Sequence, residues 1–394
     1  MRVALIGPVT PLLGGATPGG VATHQVHLAA GLAAAGVDAP LLATNTRALP
    51  AQWRAPADEA PFPLYRMGRD WRRPDYLSAV GIDRLVRYTL HVAPRRGVGS
   101  RREILRNLLW YRRFLDEVRP DVVHVQHPLE RTEYARTVQR LEGWRQPLVV
   151  TAHSLLGEHE PATIESTMAP NLRAADWVIA VSDHIADQAI DLGVDADRVR
   201  VIRSGVDVDQ FQPRDRGAAR RALGIADETP LVLFVGNLEP RKRVDVLLRA
   251  IAEVRRTVPP AEVVVVGSGE NAGVQDQTAR LLRLSRELGL GGAPSPAVRF
   301  AGRVEDEVLR NYYAAADVFA LPSSSEAQGI VALEAMACGL VVVASAVGGL
   351  LGTIEDGRTG YLVPSGEVRP LAERLTAVLQ DQTQRRSVGA AARA

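Results

Sequence analysis

Residues 321–339 read LPSSSEAQGIVALEAMACG and continue an apolar run at 317–321. The apolar run predicts a buried strand. The stretch after it predicts a helix that ends at Gly339, because glycine readily takes the left-handed conformation of a helix C-cap. A strand that leads directly into a helix is the unit of doubly wound α/β sheets. Such sheets bind ligands at the carboxyl ends of their strands, so this loop is the first candidate for a site.

Two glutamates of this stretch, Glu326 and Glu334, are separated by seven residues. Glu326 is expected in the loop before the helix, where backbone N–H groups and the helix dipole favour an anion. Glu334 is expected to share with Ile330 and Ala337 the face that packs on the sheet, where a carboxylate is costly unless it is hydrogen-bonded. A sugar nucleotide would satisfy each of these groups. On spacing alone, an ordinary capped helix with one solvated and one half-buried Glu is the favoured interpretation.

Six short apolar runs in each half of the chain predict parallel strands, because helical stretches separate them. They lie at 2–7, 39–45, 121–127, 148–153, 177–182 and 199–205, and at 231–236, 262–267, 298–302, 317–321, 340–345 and 360–363. This pattern predicts two doubly wound domains, residues 1–205 and 206–394, joined in the polar segment 206–229.

The composition of the 394 residues, 46% apolar and 23% charged, suits a soluble α/β protein, and a net charge of +2 requires no particular partner. The single cysteine, Cys338, excludes an internal disulfide and fits a reducing compartment. The N-terminus lacks the pattern of a signal peptide, and no apolar run approaches the roughly 20 residues of a membrane-spanning helix. We therefore expect a cytoplasmic protein.

Residues 51–115 are strongly basic, with 14 Arg and no Lys against 6 acidic residues. Two functional interpretations are a surface that contacts an anionic membrane and a pocket for an anionic acceptor. The third is a helical insertion with solvated arginines. No nucleic-acid-binding motif is recognised, so we expect no nucleic acid as a partner. Aromatic residues are interleaved with the arginines, at Trp53, Trp71, Tyr76, Tyr88, Trp110 and Tyr111.

The spacing Glu-x7-Glu followed by Ala-Met-Ala-Cys-Gly resembles the signature of the retaining family 4 glycosyltransferases. The segments VGNLEPRKR at 235–243 and VGGLLGTIEDG at 347–357 are also similar to the family. The resemblance covers nearly the whole chain and is weakest across 46–118. It implies the GT-B fold, an α/β architecture of two doubly wound Rossmann-like domains that face each other across a cleft, with an acceptor-binding N-terminal domain and a donor-binding C-terminal domain.

The resemblance implies transfer of a hexose or N-acetylhexosamine from a nucleoside diphosphate sugar to an acceptor hydroxyl, with retention at the anomeric carbon and without a metal or cofactor. Family frequency favours UDP over GDP. The Asp-x-Asp at Asp207 and Asp209 lies in a turn that the family also has, and we interpret it as structural. The acceptor and the oligomeric state stay open.

The resemblance assigns the donor site residue by residue. Lys242 meets the phosphates, Glu334 holds the ribose hydroxyls and Glu326 holds those of the hexose. Asn237 stands where the family has Arg, so a second cation would have to come from Arg241 or Arg243. Further donor contacts are expected from the glycine-rich loop, the base-binding turn and the helix start, at Gly15, Gly20, Gly302, Arg303, Val304, Gln328, Gly329, Ile330 and Val331. Gln328 replaces the Phe that is usual in the family, and contact with the sugar and exposure to solvent are both open.

In the first domain, His153 matches a strand-end histidine that positions the transferred sugar, although Ser154 replaces the Asp that usually follows it. His24 and His127 are expected at the acceptor. The implied catalytic residues are Glu326, His153 and Lys242, with same-face attack and the departing phosphate taking the acceptor proton.

Two other classes of function stay open. One is another GT-B enzyme, such as a sugar-nucleotide epimerase or a phosphorylase, and the other is a sugar-nucleotide-binding protein that has lost catalysis. Family chains carry one or two further helices beyond the position of Ala394, so we expect a truncated sequence.

Overall fold

The computed structural model describes residues 1–13, 15, 20–44, 53–56, 58–67, 82–92, 98–157, 159–269, 277–291 and 297–394. The chain forms two compact units, Met1–Ile202 and Arg203–Ala394, whereas the sequence predicted domains 1–205 and 206–394 joined in the segment 206–229. Two aromatic residues named in the sequence analysis, Trp71 and Tyr76, lie outside the described residues, as does most of the glycine-rich loop.

The first unit is built on a seven-stranded parallel sheet in the order β3-β2-β1-β4-β5-β6-β7. The direction of winding therefore changes between β1 and β4, where doubly wound sheets bind ligands. The strands are β1 (Val3–Gly7), β2 (Leu41–Ala43), β3 (Leu64–Arg66), β4 (Val122–Gln126), β5 (Leu148–Ala152), β6 (Trp177–Ala180) and β7 (Val199–Val201).

Helices follow the strands of the first unit and bury its apolar runs. Leu5 and Ile6 of β1, for example, have no exposed surface, as expected for a parallel strand covered on both faces. The helices are α1 (Gly20–Ala34), α2 (Ile82–Val92), α3 (Val98–Val118), α4 (Glu130–Glu142), a helical run of Pro161–Thr163, Ile164–Met168 and Ala169–Arg173, and α5 (Asp183–Asp191).

The second unit repeats this winding on a six-stranded parallel sheet in the order β10-β9-β8-β11-β12-β13. Its change of direction lies between β8 and β11. The strands are β8 (Leu231–Val235), β9 (Glu262–Val266), β10 (Val298–Gly302), β11 (Val318–Leu321), β12 (Val341–Ser345) and β13 (Tyr361–Val363). The helices are α6 (Arg216–Leu223), α7 (Val244–Thr257), α8 (Gln277–Glu287), α9 (Asp306–Ala315), α10 (Ile330–Ala337), α11 (Val368–Gln380) and α12 (Gln382–Arg393).

All twelve predicted strands are present, and most are shorter by one to four residues than predicted. β3, a three-residue strand at the sheet edge inside the basic segment, was not predicted from the sequence. Only Leu64 and Tyr65 of β3 are buried, and Arg66 forms an ion pair with Glu59. A strand this short leaves too little apolar periodicity to be recognised.

Parts of the basic segment pack into the first unit. The Arg112 side chain is 4% exposed and its guanidinium lies 3.3 Å from the buried Glu142 carboxylate, to which Tyr88 also donates a hydrogen bond. The guanidinium of Arg113 stacks over Trp53 and Trp110. Arg112 and Arg113 therefore belong to the packed structure and are not solvated, whereas the third interpretation expected solvated arginines. Contact of the segment with a membrane surface stays a prediction. Among the described residues, no helix has both the length and the apolar character to cross a bilayer.

Candidate functional site

The loops after β8 and β11 meet at the carboxyl edge of the second sheet. The Lys242 ammonium lies 2.5 Å from Glu326 Oε1, and the Ser323 hydroxyl donates to the same oxygen at 2.7 Å. All three residues are buried. A buried ion pair contributes little net stability because both charges lose their hydration, so its presence at a ligand-binding edge points to a functional role.

Lys242 is the only lysine of the chain. It closes a short 3₁₀ turn, Pro240–Lys242, directly before α7. The next residue, Arg243, takes a left-handed φ of 49°, a conformation that glycine adopts more readily than a residue with a side chain. The Arg243 guanidinium lies near Asp245 in the first turn of α7, at 3.4 Å.

Asn237 and Arg241 both contact Glu239. The Asn237 amide donates to Glu239 Oε1 at 3.3 Å, and the Arg241 guanidinium donates to Glu239 Oε2 at 2.8 Å. The backbone of Arg241 also accepts a hydrogen bond from the N–H of Ser324, at 2.7 Å. Arg241 is thereby tied to the loop that carries Glu326, so it is better placed than Arg243 to act as a second cation.

Glycines shape the start of α10. Gly329 has a φ of 83°, and a Cβ there would lie 2.6 Å from Leu350. A Cβ at Gly349 would overlap the Ala327 carbonyl, and the Gly349 N–H donates to the Glu326 carbonyl at 2.9 Å. The Glu326 loop is therefore fixed against the turn Gly348–Gly352. The first N–H groups of α10, including those of Ile330 and Val331, have no acceptor within the helix and are available to an anion.

Glu334 receives a hydrogen bond of 2.7 Å from the hydroxyl of the buried Tyr313. Burial raises the pKa of Glu334 to about 7, and the Tyr313 hydrogen bond opposes part of that rise. The predicted sheet-facing side of the helix was partly wrong. Ala337 is buried as expected, but Ala332 and Ala335 have no exposed surface while Ile330 and Glu334 are only partly buried. The small alanines allow the closest packing on the sheet.

The Gln328 side chain is buried, so of the two open alternatives exposure to solvent was wrong. Its side-chain Oε1 accepts from the Ser204 N–H at 2.9 Å, and its Nε2 donates to the Ser204 carbonyl at 2.7 Å. Both residues are buried. The amide therefore holds the segment that opens the second unit, and a contact of Gln328 with the donor stays a prediction.

The predicted base-binding turn follows β10. Gly302 has a φ of 67°, and a Cβ there would meet no neighbour, so the backbone conformation rather than space accounts for the glycine. The Gly302 carbonyl accepts from the Gly267 N–H at 2.8 Å, which links the turn, with Arg303 and Val304, to the end of β9. Asp207 accepts from the N–H groups of Asp209 and Gln210 and thus closes a turn, as the structural interpretation predicted.

Histidines line the corresponding edge of the first unit. His153 follows β5, and its ring centroid lies 4.7 Å from that of His24 on α1 and 6.4 Å from that of His127 after β4. Burial lowers the pKa of each histidine: to about 3 for His127, well below the usual range for His153, and less far for His24. The three predicted histidines therefore lie together and are uncharged at neutral pH.

His127 has a left-handed φ of 79°, which is uncommon for a residue with a side chain. Its Nε2 lies 3.1 Å from the Ser154 hydroxyl, which in turn lies 2.9 Å from Nε2 of His159. Such a backbone conformation persists only where its surroundings stabilise it, and it is frequent at binding sites.

The glycine-rich loop is only partly described. Gly15 could not carry a side chain, because a Cβ would overlap the Val9 carbonyl, and its N–H donates to the Thr10 carbonyl at 2.9 Å. Gly20 is exposed and begins α1. The glycine at position 15 is therefore required by the turn of the backbone onto residues 9–10, and contact of this loop with the donor stays a prediction.

The sequence analysis missed several polar residues of the two edges. Ser323 and Tyr313 become visible only when the loop after β11 and the helix α9 are placed beside Glu326 and Glu334. Gln126 had a sequence signal, since it lies between two histidines in VVHVQHP and shares a strand face with the first of them. The missed residues are Gln126, His124, Ser154, His159, Tyr313 and Ser323.

Two family models match the chain. Residues 18–210 match Glycosyltransferase Family 4, and residues 215–394 match Glycosyl transferases group 1. Between them the two matches span nearly the whole chain.

Curated relatives match parts of the chain. The D-inositol 3-phosphate glycosyltransferase of Nocardia farcinica is 40% identical over 259 residues, which are 62% of this chain and 56% of that protein. The enzyme of the same name from Nocardioides sp. is 37% identical over 289 residues, 69% of this chain and 62% of that protein. The chain thus spans less than two thirds of the length of these relatives.

Solved structures match over the whole chain. Sucrose-phosphate synthase from Thermosynechococcus elongatus has a TM-score of 0.78 at 24% identity, covering 100% of this chain and 93% of that one. Anabaena HepE in complex with UDP-glucose has a TM-score of 0.74 at 22% identity, with the same coverage. At these identities the likeness establishes the fold, and the predicted GT-B fold is confirmed.

Proposed function

The chain belongs to the family 4 glycosyltransferases, and from that premise we propose that it transfers a hexose or N-acetylhexosamine from a nucleoside diphosphate sugar to an acceptor hydroxyl. The observation that carries the proposal is the buried Lys242–Glu326 pair with Ser323, at the carboxyl edge of the second sheet. A cation and a carboxylate held side by side suit a ligand that has phosphates at one end and hydroxyls at the other.

The donor phosphates would bind between Lys242 and the first N–H groups of α10. Charge develops on the diphosphate as the bond to the sugar breaks, and donors fixed in advance stabilise that charge without reorganising. Arg241, held by Glu239, would supply the second cation that Asn237 does not. Glu334 would accept the ribose hydroxyls, and the backbone of Gly302, Arg303 and Val304 would bind the base.

Glu326 would hold hydroxyls of the transferred sugar. Its carboxylate is tied to Lys242 and Ser323, which suits a group that stabilises positive charge at the anomeric carbon better than a covalent nucleophile. The acceptor oxygen would form its bond to that carbon on the face from which the diphosphate departs. The acceptor proton would pass to the departing phosphate oxygen, which gives retention of configuration.

The uncharged edge of the first unit suits hydroxyl groups. Neutral histidines and amides exchange hydrogen bonds with hydroxyls without the cost of burying a charge. We propose that His153 positions the sugar and that His24 and His127 contact a hydroxyl-rich acceptor. The relatives are named for D-inositol 3-phosphate, an acceptor of that kind. UDP is proposed as the donor nucleotide on family frequency.

Thermal-shift binding with UDP, GDP, ADP and TDP, each with and without magnesium, tests the donor site. We expect one nucleotide to stabilise the wild-type chain by about 3 kcal/mol at a hundredfold excess over its Kd, since binding to the folded state adds to stability by mass action. Magnesium should make no difference. The variant Lys242→Met should show a much smaller shift, and Lys242→Arg, which keeps the charge, an intermediate one.

Transfer is then assayed with the sugar form of the nucleotide that binds and with D-inositol 3-phosphate as the first acceptor. Release of free nucleotide without an acceptor would favour an epimerase, and binding without turnover on any acceptor would favour a protein that has lost catalysis. Stabilisation by none of the four nucleotides would overturn the donor site itself.

A further inference from the structure

Three hydrogen bonds connect His153 to the interior of the first sheet. His153 Nε2 lies 2.7 Å from the side-chain Oε1 of Gln126, whose Nε2 lies 3.4 Å from Nε2 of His124. The same His124 nitrogen lies 2.7 Å from the Thr151 hydroxyl. Gln126 is fully buried, and His124 and Thr151 are nearly so. The three contacts form one path from β4 to the histidine at the end of β5.

Strand pairing holds this path in place. His124 and Gln126 are two residues apart on β4, so their side chains leave the same face of the sheet. Gln126 pairs directly with Thr151 on β5, two residues before His153. Gly7 lies on the other side, where a Cβ would approach the Gln126 Cβ to 3.0 Å. The Gln126 amide therefore has little freedom to move away from His153.

The chemistry of an amide fixes the protons along the path. The Oε1 of Gln126 can only accept, so His153 Nε2 must carry the proton that it donates. The Nε2 of Gln126 can only donate, so His124 Nε2 must be the acceptor and its proton must lie on Nδ1. The Thr151 hydroxyl donates to the same His124 nitrogen. Burial lowers the pKa of both rings, to about 4 for His124, so each ring carries a single proton at neutral pH.

A neutral His153 with its proton on Nε2 has a lone pair on Nδ1. We propose that Gln126 is a positioning residue that fixes this tautomer of His153, so that Nδ1 accepts a hydrogen bond from a substrate hydroxyl. The inference rests on the proposed function, because it assigns the histidine to a hydroxyl of the transferred sugar. It also excludes a role for His153 as a proton donor to the substrate, since the only ring proton is held by Gln126.

The ring state is measured directly by ¹⁵N NMR of the full chain labelled at histidine, with His153→Gln used to assign the signals. We expect a pyrrole-like, protonated Nε2 and a pyridine-like, unprotonated Nδ1 for His153 at neutral pH. A protonated Nδ1 with a bare Nε2, as a reversed Gln126 amide would give, overturns the proposal. This measurement does not depend on turnover, so it stands apart from any failure of the transferase assay.

The variant Gln126→Glu tests the consequence for turnover. A carboxylate accepts the same proton but favours the charged ring, and an adjacent opposite charge moves a pKa by about 1–3 units. The His153 pKa should rise towards the assay range. As the pH falls below the His153 pKa of this variant, Nδ1 gains a proton and kcat should fall. In the wild type, titration of His153 should not change kcat over the same pH range.

Thr151→Val is the matched control, because it removes a hydroxyl from the far end of the path and leaves Gln126 in place. It should keep the His153 tautomer and the flat pH profile. An unchanged ring state and profile in Gln126→Glu would overturn the positioning role. If that variant fails to fold, Gln126→Met replaces it, and the His153 signals should then show a mixture of tautomers; a single unchanged tautomer would overturn the role.

Discussion

The two sheets wind in the same order yet carry opposite kinds of chemistry at their carboxyl edges. In each unit the first strand lies beside the fourth strand in the sheet, and the candidate site residues lie at the carboxyl edge of the sheet, at or near the ends of its central strands. The first unit places neutral groups there, His153, Gln126 and His127, whereas the second places the buried ions Lys242 and Glu326. Topology therefore determines where a site can form, and the side chains determine which part of a ligand it can take.

The difference has an energetic consequence. A neutral hydrogen bond contributes about 1 kcal/mol net, and losing one partner costs about 1–3 kcal/mol. Removing one partner of a buried ion pair costs more, about 3–5 kcal/mol, because a charge is left without compensation. Substitutions at the charged edge should thus change both stability and turnover, and substitutions at the neutral edge should have smaller effects.

The largest effect is expected for Lys242→Met. It removes the cation proposed for the diphosphate and leaves the Glu326 carboxylate buried, with the Ser323 hydroxyl as its remaining side-chain partner among the described residues. We expect kcat/KM for transfer to fall by about 10²–10³-fold, the usual cost of losing one donor to developing negative charge. Thermal unfolding should also shift to lower temperature.

The double variant Lys242→Met with Glu326→Gln separates the two effects. It should recover much of the stability and none of the turnover, because it removes the uncompensated charge together with the pair.

Since Lys242 is the only lysine, amine-selective labelling of the chain reports on this side chain and the N-terminus alone. Nucleotide that fails to protect Lys242 from labelling would contradict its contact with the phosphates.

The next effect concerns the pH dependence of Glu334. Burial raises its pKa from the ordinary 4.5 to about 7 in the folded chain. The stability linked to this group is therefore complete below pH 4.5 and is lost as the pH rises to about 7, a cost of about 3 kcal/mol above that pH. Glu334→Gln should be as stable as the wild type near pH 4.5 and more stable at pH 8, which denaturant titrations at the two pH values measure.

Nucleotide affinity should show the opposite trend. A carboxylate can accept both ribose hydroxyls, whereas the protonated acid loses that capacity, so binding should weaken by up to about tenfold per pH unit below 7. Glu334→Gln should bind more weakly at pH 8 and show no such slope. Tyr313→Phe removes a hydrogen bond that lowers the Glu334 pKa and should move the midpoint upward. A slope that persists in Glu334→Gln would assign it to another group.

Most of the fold could be predicted because buried parallel strands are apolar along their whole length. This is why all twelve predicted runs are strands, while β3, half polar and at an edge, was missed. The pairing of Lys242 with Glu326 was not predictable from their 84-residue separation, although the resemblance brought both to one ligand.

Other parts of the site depend on contacts between residues far apart in the chain, which the local sequence pattern does not predict. The amide of Gln328, for example, pairs with Ser204, 124 residues away, and nothing in the sequence around either residue indicates this pair. The side of α10 that faces the sheet is not the predicted one, because Ala332 and Ala335, rather than the larger Ile330, pack closest to the sheet. Long-range polar pairs of this kind require the three-dimensional structure.

The smallest effect, on the neutral edge, concerns Gln25 on α1. Its side chain has no exposed surface, and neither amide atom has a hydrogen-bond partner among the described residues. Its Oε1 lies against Gly7, where even a Cβ would overlap it. Gln25→Met keeps the volume and removes the polar atoms, so we expect a gain of about 1 kcal/mol, or about 2–4 °C in Tm.

Gln188 is the matched control for Gln25. It is also buried in the first unit, but its amide accepts from the Leu156 N–H at 3.1 Å and its Nε2 lies 2.9 Å from a His184 ring nitrogen. Gln188→Met should therefore lower Tm while Gln25→Met raises it. A lower Tm in both variants would show that the Gln25 amide is hydrogen-bonded in solution. The buried polar groups of the neutral edge would then have partners, as Lys242 and Glu326 do at the charged edge. A rise for Gln25→Met and a fall for Gln188→Met would mean that the first unit keeps an amide without hydrogen bonds beside its proposed hydroxyl site. Since this amide lowers the stability of the folded chain, its presence would then have a reason other than stability.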